Sequence, residues 1–121
     1  MPEEPLSLAE FEQIVDEALE SIPKRFSDLV RNIAIAVEDE PTRKDLGRGG
    51  KRRHELLGIY RGVPLTKRSH DDPLLPDEIV IFRGPIRRVS RTRDEAVRQV
   101  RDTVIHEIGH YFGLSDEEMP H

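Results

Sequence analysis

The sequence of 121 residues contains no cysteine and no tryptophan, and it has only four phenylalanines and two tyrosines. The absence of cysteine excludes disulfides, thiolate metal sites and cysteine nucleophiles, so any metal must be bound by imidazole and carboxylate groups. The shortage of aromatic side chains means that the core must be built mainly from isoleucine, leucine and valine.

Long apolar runs and a basic leader are also missing from the sequence. No stretch approaches 18 consecutive apolar residues, and residues 1–19 are acidic with interrupted apolar positions, unlike a secretion signal. These absences predict a soluble, cytoplasmic protein that does not interact with a membrane. The net charge of −5 argues against nucleic acid as the main partner, although basic residues are concentrated at 43–53 and 83–101.

The length suits one domain that spans residues 1–121. Ser7 and Glu10 form a capping box ahead of apolar residues at three- and four-residue intervals, which predicts a helix that ends before Pro23. Thr92 and Glu95 form a second capping box, and the apolar pattern after it predicts a helix that continues to residue 113.

Between the two helices the sequence predicts three strands, at residues 32–37, 56–63 and 78–82. Residues 42–54 contain three glycines and six lysines or arginines with almost nothing apolar, so they are expected to form a mobile basic loop. The order helix, three strands, helix predicts an α+β domain in which a small, mostly three-stranded sheet packs against both helices.

Residues 106–110 of the second helix read His-Glu-Ile-Gly-His. Helical residues four apart differ by about 40° in rotation and lie one turn apart, so both imidazoles can reach the same ion. Glu107 is turned by about 100° from His106, which places its carboxylate beside the metal, where it can accept a proton from water. The pattern predicts His106 and His110 as metal ligands and Glu107 as the general base.

A third protein ligand would complete the site and leave one position open, as in catalytic zinc sites. Gly113 stands where a left-handed residue would end the helix, and such a cap would turn the chain so that Asp116 approaches the ion. Requiring Gly113 and Asp116 at fixed offsets lowers the chance expectation of the pattern from roughly 2% to about 1 in 10,000. Glu117, Glu118 and His121 remain alternative ligands to Asp116.

The sequence resembles the zincin metallopeptidases, and in particular the short bacterial zincin-like proteins that consist of a minimal metallopeptidase domain. The resemblance rests on the pattern His-Glu-x-x-His-x-x-Gly-x-x-Asp at residues 106–116, and it extends to residues 58–65 and 75–86. It implies a small sheet beside an active-site helix and a single Zn²⁺ ion. It also implies that His106, His110 and Asp116 bind this ion and that Glu107 is catalytic.

From this resemblance we expect a zinc-dependent metallopeptidase that hydrolyses peptide bonds with metal-activated water and a glutamate general base. In zincins an edge strand beside the active-site helix pairs with the extended substrate. Residues 78–82 form the last predicted strand before that helix, and we expect them to have this role.

The sequence also departs from one zincin group, the metzincins. Metzincins usually have a third histidine where Asp116 stands, and a methionine-containing turn well after the helix, whereas Met119 is too close to serve. We therefore expect a cleft with few walls and a short peptide or unfolded protein as the substrate. The alternatives are a zinc-binding regulatory or interaction module with little or no turnover, and a hydrolase of a non-peptide amide.

Overall fold

The computed structural model describes residues 7–30, 33–49, 56–62 and 77–111. Within these ranges the chain has the predicted α+β fold, in which a three-stranded sheet packs against an N-terminal and a C-terminal helix. None of the helices in these ranges is both long and apolar enough to cross a membrane. The elements are α1 (Leu8–Glu20), α2 (Lys24–Val30), β1 (Ala34–Glu38), α3 (Arg43–Gly49), β2 (Gly58–Arg61), β3 (Glu78–Phe82), α4 (Arg83–Val89) and α5 (Arg93–Tyr111).

Helix α1 forms where its sequence predicts. The side chain of Ser7 accepts a hydrogen bond from the Glu10 N–H at 3.3 Å, which satisfies one of the unpaired donors of the first turn. The apolar residues Phe11, Ile14 and Ala18 lie on one face and have no exposed surface. This face packs against α5, so the first and last helices of the chain share one core.

The sheet has the strand order β1-β3-β2, which makes β3 the central strand. Strand β1 is parallel to β3, with Ala34 opposite Glu78, and β2 is antiparallel to β3, with Gly58 opposite Ile81. A parallel pair needs a crossover connection, and here the crossover includes α3 and β2. The central position of β3 explains its composition, because a strand that is covered on both faces is apolar at consecutive positions.

The two faces of β3 belong to two separate cores, as expected from the alternation of side chains along a strand. Ile79 and Ile81 join the large core with α1 and α5. Val80 and Phe82 join a smaller core on the opposite face, together with Leu56, Ile59, Ala36 and Leu46.

Part of the predicted basic loop is a helix. Residues Arg43–Gly49 form α3, whereas residues 50–54 lie outside the described residues. Thr42 and Asp45 cap this helix reciprocally: Thr42 Oγ1 accepts the Asp45 N–H at 3.1 Å, and Asp45 Oδ2 accepts the Thr42 N–H at 3.0 Å. Leu46 packs against the smaller core. The loop prediction was wrong here because composition outweighed one cap and one apolar contact.

A cluster of charged side chains around Arg61 ties α3 to the sheet. Arg61 donates two hydrogen bonds to Glu38, at 2.7 and 3.0 Å, and two to Asp45, at 3.2 and 2.8 Å. Glu78 lies 3.5 Å from the same guanidinium. Asp45 is only 3% exposed, and burial by itself would raise the pKa of its carboxyl. Hydrogen bonds from Arg61 and Thr42 outweigh that effect and lower the pKa below its ordinary value.

Because the pKa of Asp45 is lower in the folded than in the unfolded chain, its ionised form stabilises the fold at neutral pH. This stabilisation is complete above the ordinary carboxyl pKa of about 3.9, and it is lost as the pH falls through the lower, folded value. We expect Asp45→Asn to reduce the free energy of unfolding by about 1–3 kcal/mol at pH 7 and to converge with the wild type in acid. Urea unfolding at several pH values measures this, with the exposed Asp16→Asn as the control. A constant difference from pH 7 to pH 2 would contradict it.

Strand β2 approaches α5 closely at Gly58. A methyl group on Gly58 would lie 2.6 Å from Thr103 Cγ2 and 2.8 Å from the carbonyl oxygen of Val80. Thr103 is held in place because its hydroxyl donates to the Gln99 carbonyl at 2.7 Å. Glycine is therefore required at this point for the strand and the helix to lie side by side.

We expect Gly58→Ala to destabilise the protein by about 1–3 kcal/mol, since the added methyl group must displace a backbone atom as well as a side chain. Gly47→Ala is the matched control, because nothing lies within 4 Å of the added methyl there. In helix α3 this control should be neutral or stabilising by up to about 1 kcal/mol. Equal stability of the two variants in urea unfolding would show that the approach at Gly58 is not constrained.

Candidate metal centre

Helix α5 begins at a polar cap and carries the predicted metal motif near its other end. Thr92 Oγ1 accepts the Glu95 N–H at 3.1 Å, and Glu95 Oε2 accepts the Arg91 N–H at 2.6 Å. The helix runs over Arg93–Tyr111, so the residues 106–110 occupy its C-terminal part. The predicted helical placement of the motif is confirmed.

The rotation of α5 about its axis is set by an apolar stripe at four-residue intervals. The stripe consists of Ala96, Val100, Val104 and Ile108, none of which has any exposed surface. At about 100° per residue, His106 and His110 each lie some 160° from Ile108, on the opposite side of the helix. Glu107 lies about 100° from Ile108, on a flank of the helix. The two histidines are accordingly half-exposed or partly buried, whereas Glu107 is buried.

The three side chains of the motif converge. The rings of His106 and His110 have centroids 4.3 Å apart and planes inclined by 68°. One potential ligand atom from each of His106, Glu107 and His110 lies within 4.8 Å of the others. Two imidazoles and a carboxylate in this arrangement fit the nitrogen and oxygen ligands that zinc accepts in the absence of cysteine.

Glu107 is held by the neighbouring strand. Its side chain is part of a residue only 8% exposed, and its Oε1 accepts the backbone N–H of Tyr60 at 2.9 Å. Its Oε2 lies 3.5 Å from Nδ1 of His110. A buried carboxylate without such a donor would be strongly disfavoured. The hydrogen bond therefore allows a carboxylate to lie beside the histidines without facing solvent.

The fourth predicted site residue is not among those described. Asp116 lies outside the described residues, as do Gly113 and the alternative ligands Glu117, Glu118 and His121. The structure thus brings together His106, Glu107 and His110, and the third ligand remains a prediction.

The substrate-pairing role predicted for residues 78–82 does not agree with the sheet. These residues form the central strand β3, which is flanked on both sides. Among the described strands β2 is the one at the edge on the side of α5, and its contact with α5 is made through Gly58 and Tyr60. Strand order depends on non-local pairing, so the position of a strand in the sequence did not reveal which strand forms the edge.

Tyr60 contributes to the site through its backbone, and sequence reasoning did not identify that role. A backbone N–H leaves no mark on the residue type. The available signal was Gly58, because a glycine within a strand often marks a close approach of another element.

Comparisons with known proteins agree with this architecture. A conserved hypothetical protein from the bacterium T. thermophilus is 24% identical, with a TM-score of 0.54 over 87% of this chain and 92% of that one, a similarity that concerns the fold alone. No curated protein sequence matches significantly. The sequence model of the zincin-like metallopeptidase family, whose name implies zinc binding, matches residues 30–121, which contain all three strands and the whole of α5. The chain belongs to the zincin-like metallopeptidase family.

Proposed function

We propose that this protein is a zinc-dependent metallopeptidase that hydrolyses peptide bonds. The observation that carries the proposal is the convergence of His106, Glu107 and His110 on one side of α5, with Glu107 buried and fixed by a backbone donor. A site that only binds metal does not need a positioned carboxylate in addition to its ligands. A hydrolase does need one, because a proton must leave the attacking water.

The metal in this proposal is one zinc ion bound by His106, His110 and Asp116. Asp116 is chosen because of its offset from the helix, and it leaves Glu107 for another role. Zinc held by these residues polarises the scissile carbonyl and lowers the pKa of the attacking water. Three protein ligands leave a coordination position available to that water.

Glu107 is the proton carrier in the proposed reaction. It takes one proton from the attacking water and passes it to the departing amine nitrogen, so that the carboxylate is regenerated when the peptide bond breaks. The position of its two oxygens supports this assignment: Oε1 is bound to Tyr60, whereas Oε2 is on the side of His110.

We propose that the substrate is a short peptide or an unfolded segment that lies along β2. Phe82 donates to the Leu57 carbonyl at 2.9 Å, and peptide groups of an antiparallel pair alternate in direction. The peptide groups of Ile59 and Arg61 therefore face β3, and those of Gly58 and Tyr60 face the outer edge. An extended peptide recognises such an edge through its own backbone.

Glu107→Gln tests the catalytic assignment. The amide cannot accept the proton, so we expect peptide hydrolysis to fall by about 10²- to 10⁴-fold, while zinc affinity stays within a few-fold of the wild type. Elemental analysis and equilibrium dialysis measure zinc, and mass spectrometry of a peptide library measures cleavage with and without a chelator.

Asp102→Asn is the matched control for that experiment. It makes the same carboxylate-to-amide change on the same helix, but at a side chain that is 67% exposed and paired with Arg101. Equal hydrolysis by Glu107→Gln and the wild type would refute the role of Glu107. Zinc binding without cleavage of any peptide by the wild type would favour the regulatory or interaction module.

Asp116→Ala tests the third ligand. If Asp116 binds the ion, its removal should weaken zinc binding by at least about 100-fold, since even outer partners of ligands contribute 10- to 100-fold. Glu117→Ala, Glu118→Ala and His121→Ala serve as controls, because each removes one alternative ligand. Unchanged zinc titration of Asp116→Ala, together with weakened binding in one of the controls, would assign the third ligand to that residue instead.

A further inference from the structure

We propose that the backbone N–H of Tyr60 is a positioning group for the general base, and that it fixes Glu107 relative to the two histidines. This inference rests on the proposed function. It adds a residue of strand β2 to a site whose other described members all lie on α5.

The direction of the Tyr60 N–H carries the first step. Because the peptide group of Tyr60 faces away from β3, its N–H is not part of the pairing between the two strands. The donor instead reaches across to α5 and binds Glu107 Oε1 at 2.9 Å. A hydrogen bond from a backbone amide to a carboxylate is among the stronger hydrogen bonds in proteins.

The two oxygens of Glu107 have different surroundings, which carries the second step. Oε1 is fixed by Tyr60, and Oε2 is 3.5 Å from His110 Nδ1. With one oxygen fixed and the side chain buried, the carboxylate cannot rotate freely about its terminal bond. Oε2 is thereby kept on the metal side of the site.

The close approach at Gly58 carries the third step. Gly58 meets Thr103, and two residues further along β2 Tyr60 meets Glu107, four residues further along α5. Two strand residues span about 6.7 Å, and four helical residues span about 6.0 Å. The strand and helix therefore run side by side in register over this length, and contact at Gly58 brings the Tyr60 donor to Glu107.

Amide hydrogen exchange on the full chain, resolved by NMR, tests the hydrogen bond without reference to activity. In Glu107→Ala the Tyr60 amide should lose at least about 10-fold in protection, while the Ile59 and Arg61 amides, which face β3, change by no more than about three-fold. In Glu107→Gln the carboxamide oxygen still accepts, so protection of Tyr60 should be retained. If Tyr60 loses no more protection than Ile59 and Arg61 in Glu107→Ala, the proposal is overturned.

Kinetics on the zinc-loaded protein test the consequence for catalysis. Tyr60→Pro removes the N–H and the ring, whereas Tyr60→Ala removes the ring alone, and proline is compatible with an edge position whose N–H is outside the ladder. We expect kcat of Tyr60→Pro to be about 10- to 100-fold below that of Tyr60→Ala, since small displacements of a catalytic group have effects of this size. KM and zinc affinity should agree within about three-fold.

A double variant separates positioning from general damage. If the Tyr60 N–H acts only through Glu107, Tyr60→Pro should have almost no further effect on residual hydrolysis in a Glu107→Gln background. An equal loss in both backgrounds, or equal kcat in Tyr60→Pro and Tyr60→Ala, would overturn the positioning role. Absence of any hydrolysis by the wild type would count against the proposed function, and the exchange measurement would still decide the inference.

Discussion

The packing of α5 against α1 and the sheet removes four side chains, Ala96, Val100, Val104 and Ile108, from contact with water. Full burial of a valine or isoleucine side chain contributes about 1.5–3 kcal/mol. Rotation of the helix by one residue position would expose this stripe, so its burial determines which way every other side chain on α5 faces. The histidines face outward and Glu107 faces β2 because the apolar stripe faces inward.

This arrangement makes the same contacts serve stability and chemistry. Burial of a charged carboxylate is unfavourable unless donors replace the lost water. Glu107 receives such a donor from Tyr60, and β2 can come close enough only because Gly58 has no side chain. The strand in turn is fixed at its other face by Ile59 in the smaller core and at its end by the ion pairs of Arg61. The position of one carboxylate thus depends on residues from both cores.

Features that depend on local pattern were predictable from the sequence. The cap and apolar face of α1, the bounds of β3 and the placement of the metal motif on α5 follow from periodicity and capping residues, and the structure agrees with each of them. Features that depend on pairing between distant segments were not predictable. Nothing in residues 78–82 indicates that β1 lies on one side of them and β2 on the other. Helix α3 was missed because two glycines and several charges concealed a Thr42–Asp45 cap.

The pairing of Arg61 with Glu78 has a consequence for how this chain tolerates changes in length. The two residues are opposite each other in the sheet and 3.5 Å apart at their charged groups, so the ends of the intervening segment, residues 62–77, are held together by the fold itself. Closing a loop between fixed ends costs conformational entropy that grows only logarithmically, at about 0.6 kcal/mol for each doubling of loop length. Insertions between these ends therefore leave the sheet and α5 largely unaffected, which makes this segment a place where relatives can diverge in substrate preference while the metal centre stays the same.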